Sequence, residues 1–390
     1  MANIPHQKHA DMARPALGQF HRHEWAILGA PCSVIQHLAR ELIAQLSDYA
    51  HVAYVDADHQ QAHGESSTRL VSGASIELTD KIQFNRIDRI GERTLFQQRT
   101  WLNESDLVLV NGNHFPANRQ IVIIDPRKEA SLQKRLTQLS QVDLILLTDS
   151  QQPPFDFLQA HLATQQKAPK VLALSDVEHI ADYLRTLLQA ARPALLGLVL
   201  AGGKSQRMGQ DKGTITYHGQ PQREYAAELL RPYCTEVFLS VRPDQAPSVD
   251  SAFPLLPDTF LGLGPMGAIL SAFQARPDAA WLVIACDLPL LQHHTLEQLV
   301  RERHTQHMAT AFISPVNQFP EPLIAIWEPR SYPILLQFLA QGISCPRKAL
   351  INNPVHLLHA DNPDTLQNIN YPEEMESLLS QLHSNRTPEG

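Results

Sequence analysis

Residues 200–213 read Leu-Ala-Gly-Gly-Lys-Ser-Gln-Arg-Met-Gly-Gln-Asp-Lys-Gly, directly after the apolar run Leu195, Leu196, Leu198 and Val199. An apolar run that empties into small residues predicts a buried strand ending in a loop whose backbone N–H groups can face an anion at close range. Glycine has no side chain to hold a phosphate off. Gly202 and Gly203 supply that approach, next to Leu200 and Ala201. Lys204, Arg207 and Lys212 then place three cations within nine positions. Each close cation–phosphate contact is worth roughly 4 kcal/mol at an effective dielectric of about 20. The segment reads as a grip for a nucleoside triphosphate. It is not a Walker loop, because Lys212 is followed by Gly213 and Thr214 without the required glycine before it. A plain Gly-Gly turn with solubilising lysines would account for parts of the string. The fixed order of Arg207-Met208-Gly209 and Asp211-Lys212 favours the grip.

Outward from this segment, the chain alternates apolar runs with helical periodicity. On the C-terminal side, strands are predicted over Leu196–Leu200, Val237–Val241, Trp281–Ala285, Ala309–Ser314 and Leu323–Trp327, with helices around Tyr225–Tyr233 and Ile334–Leu339. On the N-terminal side, strands are predicted over Glu24–Ala30, Val52–Val55, Leu107–Val110, Ile121–Ile124, Leu144–Leu147 and Val171–Leu174. A helix begins near Ser33, which suits an N-cap, and another spans Val177–Leu188. Alternation of this kind implies α/β layers with mostly parallel sheets. Ala191-Arg192-Pro193-Ala194 is a short joint, which divides the chain into 1–191 and 192–390.

In open α/β sheets ligands collect beyond the carboxyl ends of the strands. Asp287 follows the run Trp281–Cys286 and precedes Leu288-Pro289, where proline stops a strand. Its carboxylate is therefore a candidate Mg²⁺ ligand, since that ion takes one or two carboxylates together with phosphate oxygens and water; the alternative is a cap on the following turn. Asp258 lies six residues before Gly264-Pro265-Met266-Gly267, and could be a turn former after Pro257.

From about residue 195 to 380 these blocks, in order, resemble the molybdenum cofactor guanylyltransferases (MobA), within the nucleotidyltransferases of Rossmann-like fold. Glu321-Pro322-Leu323 and Asn368-Ile369-Asn370-Tyr371-Pro372 continue the likeness. The resemblance implies transfer of GMP from GTP to (molybdenum-)molybdopterin with release of pyrophosphate, and Mg²⁺ as cofactor. It implies that Lys212, Arg207 and Asp287 carry catalysis and that Asp287 holds the metal. Leu200, Ala201, Gly202, Gly203, Lys212, Arg242, Asp258, Gly264 and Asp287 would contact the nucleotide, Gly264 and Gly267 would form a tight loop close to the base or ribose, and Asn368 and Asn370 would lie on the pterin side. Pro372 and Glu373 also suit a helix start. Arg242, in Val241-Arg242-Pro243-Asp244, stands where the family commonly has asparagine. Cytidylyl transfer, transfer to a sugar phosphate, or a non-catalytic cofactor adaptor are the rival readings; cytidylyl relatives typically carry Leu-Ala-Ala-Gly where this chain has Leu200-Ala201-Gly202-Gly203.

Residues 24–59 run strand, Gly29-led loop, helix, strand, then Asp56-Ala57-Asp58-His59, and with Asp106–Gly112 they resemble the small GTP-binding adaptor of the same pathway (MobB). The implied P-loop-like α/β domain lacks an intact Walker A: in Gly29–Gln36 the motif's second glycine, lysine and hydroxyl are replaced by Val34, Ile35 and Gln36. Without them the β- and γ-phosphates and the magnesium lose their contacts. A docking or dimerising module is expected here instead of GTP hydrolysis.

Composition bounds the rest. A net charge of −8 disfavours nucleic acid, which needs many Lys and Arg contacts to phosphates. There is no apolar run of membrane-spanning length and no apolar signal core in Met1–Gln19, so a cytoplasmic protein is expected, with no membrane partner. Cys32, Cys234, Cys286 and Cys345 lie far apart, suggesting reduced thiols. Of the 19 histidines, His59 and His63, His293 and His294, and His304 and His307 (on a predicted helix) are close in sequence, without a third ligand at a zinc-like spacing. Partners are GTP and molybdopterin, with cofactor-insertion proteins or molybdoenzymes and a homo-oligomer as further possibilities.

Overall fold

The computed structural model describes residues 19–57, 68–92, 94–149, 151–164, 168–203, 212–369 and 371–384. The first half builds a sheet from β1 (His23–Leu28), β2 (Val52–Val55), β5 (Leu107–Asn111), β6 (Arg119–Ile124), β7 (Val142–Leu147) and β8 (Lys170–Ala173). Their order is β2-β5-β1-β6-β7-β8, and every pair is parallel. A parallel sheet is covered on both faces, so its central strands carry unbroken apolar runs: β5 is buried throughout, and β6 beyond its first residue. The helices Cys32–Leu46 and Val177–Ala190 close one face around Trp25, Ile27 and Leu107; Leu132, Phe155 and Leu158 close the other. A separate antiparallel hairpin, β3 (Ile76–Asp80) with β4 (Asn85–Arg89), stands outside this sheet.

The second half holds β9 (Leu195–Leu200), β10 (Val237–Val241), β11 (Leu255–Pro257), β12 (Ala280–Ala285), β13 (Ala309–Ile313), β14 (Pro320–Trp327) and β15 (Val355–Leu358). The order is β11-β10-β9-β12-β14-β13-β15, with β14 alone antiparallel to its neighbours. Helix Gln222–Leu230 packs on one face, and Pro265–Ala275 with Ser331–Ala340 on the other. Gly197 lets the first of these helices lie close: a Cβ there would stand 3.0 Å from both Leu230 and Val237 side chains. The α/β, mostly parallel architecture read from the sequence is what the chain adopts. None of the described helices is long and apolar enough to cross a membrane.

Four local readings are corrected. The first strand ends at Leu28, and Gly29 and Ala30 already belong to the turn. The following helix starts at Cys32 behind Pro31, with no side-chain cap, so Ser33 lies inside the first turn. Gly264–Gly267 is not a loop. Gly264 is the N-cap of helix Pro265–Ala275, proline fits its first position, and Gly267 sits within it because a Cβ would meet the Phe260 carbonyl oxygen at 2.2 Å. His304 and His307 lie beyond the helix that ends at Arg301, in a turn where their Nδ1 atoms are 2.8 Å apart. His59, His63 and Asp58 fall outside the described residues.

Burial gives the fold an acid sensitivity. It pushes His21 down to about 3 and His23 down to about 4 from an ordinary 6.5, with nearby positive groups adding to the effect. Both are neutral in the fold, so below pH 6.5 the unfolded chain binds protons that the folded one rejects, and stability falls until the folded values are reached. The expected slope is on the order of 1 kcal/mol per pH unit for each group. Urea unfolding at about pH 7.5 and about pH 5 should show it, and a His21→Gln/His23→Gln double variant should reduce the difference to the share left by His304 and His307, which burial also lowers.

Candidate active site at the carboxyl ends of the second sheet

The parallel strands β11, β10, β9 and β12 are neighbours, so their carboxyl ends open onto one edge. Beyond β9 the chain continues its pairing through Ala201, whose N–H donates to the Ser240 carbonyl (3.0 Å). The two glycines then part company. A Cβ on Gly202 would stand 3.0 Å from the Arg242 nitrogen, so this residue is small because β10 passes beside it. Around Gly203, which is exposed, a Cβ meets nothing within 4 Å among the described residues, so on that side its backbone is open to a ligand.

Beyond β10, the Arg242 guanidinium binds Asp244 (3.0 Å) and donates to the Gly202 carbonyl (2.9 Å). It acts as a strut between the glycine turn and the loop after β10. Beyond β11, Asp258 accepts from Ser240 Oγ (2.8 Å); burial raises its pKa, opposed by that hydrogen bond and by the Arg242 charge. A raised carboxyl at a cavity wall suits a group that meets a hydrogen-bonding ligand. The loop that follows is tied down by Ser271 Oγ, which accepts from the Thr259 N–H (2.9 Å) and donates to the Gly267 carbonyl (2.6 Å). Gly264 closes the loop with φ +57° and ψ −138°, a conformation open to glycine and costly for other residues.

Beyond β12, Asp287 projects its carboxylate to Lys212 Nζ at 3.0 Å. The C-terminal segment crosses at the same point: the Ile369 N–H donates to the Asp287 carbonyl (3.0 Å) and the Ile369 carbonyl accepts from Lys212 Nζ (2.9 Å). Ile369 and Tyr217 belong to a small apolar cluster under this clasp, where burial, and after it the Asp287 charge, push the Tyr217 hydroxyl up to about 12.

These groups surround a cavity of about 1080 Å³. Leu200, Ala201, Gly202 and Gly203 form one side; Lys212 and Asp287 another; Arg242, Asp258 and Gly264 complete it. Asn368 is exposed and is not among the lining residues. Arg207, Lys204 and Asn370 lie outside the described residues. Ser240, Ser271 and Ile369 were not singled out in the sequence; the first two are ordinary serines and the third acts through its backbone, so residue type carried no signal. A smaller cavity, about 610 Å³, lies by Asp143, His161 and Tyr183. It sits at the amino end of β7, opposite to where such sheets gather ligands.

With Ser271→Ala the Thr259 amide loses its acceptor, a part-buried hydrogen bond worth about 0.5–1.5 kcal/mol. The expected result is a severalfold higher KM for nucleotide with kcat nearly kept, read from steady-state kinetics.

One carboxylate beside a lysine is a sufficient protein share of a magnesium–triphosphate site, and among the described residues no group of three or more His, Cys, Asp or Glu offers an all-protein metal cage.

The model of the MobA-like NTP transferase domain matches residues 197–356. The chain is 39% identical over 181 residues to a molybdenum cofactor biosynthesis bifunctional protein of Synechocystis sp., covering 46% of this chain and 52%, about half, of that relative. It is 30% identical over 191 residues to a molybdenum cofactor guanylyltransferase of Pseudomonas putida, covering 48% of this chain and 98% of the relative. The crystal structure of molybdopterin-guanine dinucleotide biosynthesis protein A from Archaeoglobus fulgidus aligns with TM-score 0.42 and 21% identity over 48% of this chain and 99% of that one.

Proposed function

From a chain that belongs to the MobA-like NTP transferase family, we propose a nucleotidyltransferase that moves GMP from GTP onto the terminal phosphate of molybdopterin, with or without its molybdenum. The observation that carries this reading is the meeting of Gly203, Lys212, Asp258 and Asp287 on one cavity large enough for a nucleotide. A phosphate oxygen of the pterin substrate attacks the α-phosphorus of GTP, a P–O bond forms, the α–β bridge breaks, and pyrophosphate leaves. The attacking phosphate is already ionised, so no general base is needed. The chain's part is to hold two anions in line and to offset the charge that gathers on the leaving oxygens. The open backbone at Gly203 and the Lys212 ammonium face that charge. Asp287 is the residue that would hold Mg²⁺, and bound there the ion would supply neutralisation of the phosphate oxygens. We assign Arg207 to the same phosphates and Asn368 with Asn370 to the pterin side, on resemblance alone.

Asp258 can accept from guanine N–H groups or from a ribose hydroxyl, and Arg242, engaged with Asp244 and Gly202, acts by shaping the wall. Cytidylyl transfer is the second reading; Leu200-Ala201-Gly202-Gly203, in place of the Leu-Ala-Ala-Gly typical of cytidylyl relatives, favours the guanylyl one on resemblance. Thermal shift with GTP, CTP, ATP and UTP in magnesium tests the choice, since a ligand of the folded state raises its apparent stability. A shift with GTP alone supports the proposal; a larger shift with CTP overturns it.

For residues 1–191 we propose a module that docks or dimerises without hydrolysing nucleotide. The turn after β1 spans only Gly29–Pro31 before the helix begins, so no phosphate loop is wrapped there. The hairpin β3–β4 turns Ile76, Leu78 and Ile87 outward and its polar Glu77 and Thr79 inward, the reverse of a free-standing ribbon. Titration calorimetry should give one GTP per chain; two would count against this assignment. A cytoplasmic location and a homo-oligomer fit this reading.

A further inference from the structure

We propose that His218 is a positioning residue for Asp287, fixing the turn from which that carboxylate projects; the inference rests on the reading of Asp287 as the holder of Mg²⁺. Asp287 does not lie in a strand. The last ladder pair of β12 is Ala285 with Leu200, and residues 286–290 run on through turns outside the sheet. The direction of the carboxylate therefore depends on what ties these turns to the rest of the molecule. Two of their carbonyls are tied from elsewhere in the chain. The Asp287 carbonyl accepts from the Ile369 N–H (3.0 Å), and the Pro289 carbonyl accepts from His218 Nε2 (2.8 Å). A carbonyl can only accept, so Nε2 carries the proton. Proline has no N–H, which leaves this carbonyl as the sole backbone hydrogen-bonding group of Pro289. The first tie is main chain on both sides. The second belongs to a side chain.

His218 is itself held. Its ring stacks on Tyr225, with centroids 3.9 Å apart and planes 22° from parallel. Tyr225 belongs to helix Gln222–Leu230 and packs against the core on that face of the sheet. The bend that carries His218 is closed by the pairing of Thr216 with Pro221, and Gly219 within it takes φ +83°. The preceding residue serves the same turn. Tyr217 is buried beside Ile215 and Ile369, Leu290 packs against this cluster, and the Asp287 charge helps to raise the Tyr217 hydroxyl. Packed groups thus run without a break from the sheet through the helix, Tyr225 and His218 to the turn of Asp287.

What this path supplies is orientation. Mg²⁺ demands near-ideal octahedral geometry, so a carboxylate free to swing holds it less well than one aimed in advance. Groups that orient a metal-holding side chain typically weigh tenfold or more in metal affinity.

Two variants separate the hydrogen bond from the stacked ring. His218→Phe keeps a ring for Tyr225 and removes the donor, whereas His218→Gln keeps a donor and removes the ring. The full-length protein with a fixed concentration of GTP should be titrated with magnesium while its thermal midpoint is followed. In His218→Phe the magnesium needed for half of the GTP-dependent shift is expected to rise about tenfold. Its kcat for pyrophosphate release should fall by a similar factor, with KM for GTP at saturating magnesium changed by about twofold or less. His218→Gln should recover most of both losses. An equal loss in the two variants, of folding or of magnesium response, overturns the proposal, because the ring and not the bond would then be what matters. Asp287→Asn in the same titration tells its failure from that of the reading beneath it. If Asp287→Asn raises the magnesium requirement and His218→Phe does not, His218 alone loses its role; if Asp287→Asn leaves it unchanged, Asp287 is not the metal holder and both fall.

Discussion

Asp287→Asn is expected to lower guanylyl transfer by roughly 10²- to 10³-fold, the scale for removing one preorganised charge from a site of this kind. The substitution keeps the size of the side chain and its hydrogen bonding to Lys212 while removing the charge that would hold a metal. Lys212→Ala should fall in the same range, because its ammonium is the described cation nearest to Asp287, at 3.0 Å. The two groups act on the same phosphates, so the double variant should lose much less than the product of the single losses. Stability separates this from a structural role. The pair is partly exposed, with 16% and 22% of its side-chain surface open, and an ion pair in that setting contributes about 1 kcal/mol or less. Pyrophosphate release from GTP with molybdopterin should collapse while the thermal midpoint barely moves. A variant that melts early and turns over normally per folded molecule would remove Asp287 and Lys212 from the chemistry.

Much of this site was legible because its parts are written locally. A buried run followed by a glycine turn or an aspartate–proline stop marks a strand end, and parallel sheets bring strand ends together. That is how Gly202, Gly203 and Asp287 could be read before the fold was known, whereas Asp258 was marked only by the family resemblance, because the three-residue strand Leu255–Pro257 before it is too short to show a pattern. What joins them was not legible. Lys212 and Asp287 are 75 positions apart, and their meeting depends on the Ile369 backbone, which no residue type announces. Helix Pro265–Ala275 was hidden because Gly264 and Pro265 look like a turn while serving as N-cap and first position. The hairpin β3–β4 was hidden for the opposite reason: its apolar residues face outward, so its pattern marks a surface and not a core.

Gly29 and Gly203 look alike in the sequence, each following a buried strand at the head of a supposed phosphate loop, yet substitution by alanine should separate them sharply. At Gly29 the backbone has φ +92°, and an added Cβ would stand 2.2 Å from the Ile123 carbonyl oxygen in the neighbouring strand β6. The oxygen belongs to a buried strand held on both sides by its ladder, so it cannot withdraw without breaking hydrogen bonds of the sheet. Backbone strain and clash together should cost about 3 kcal/mol or more, enough to shift urea unfolding of the first half markedly. At Gly203 a Cβ meets nothing within 4 Å among the described residues, so stability should change by about 0.5 kcal/mol or less. Its effect should appear instead in kinetics, as a methyl placed between the backbone N–H groups and a phosphate raises KM for GTP. The glycine of the first half is thus explained by its positive φ and its packing against β6, whereas the one in the second half meets no described neighbour that requires glycine. If Gly29→Ala unfolds no more readily than Gly203→Ala, the tight passage of β6 past the first turn is not what requires a glycine there.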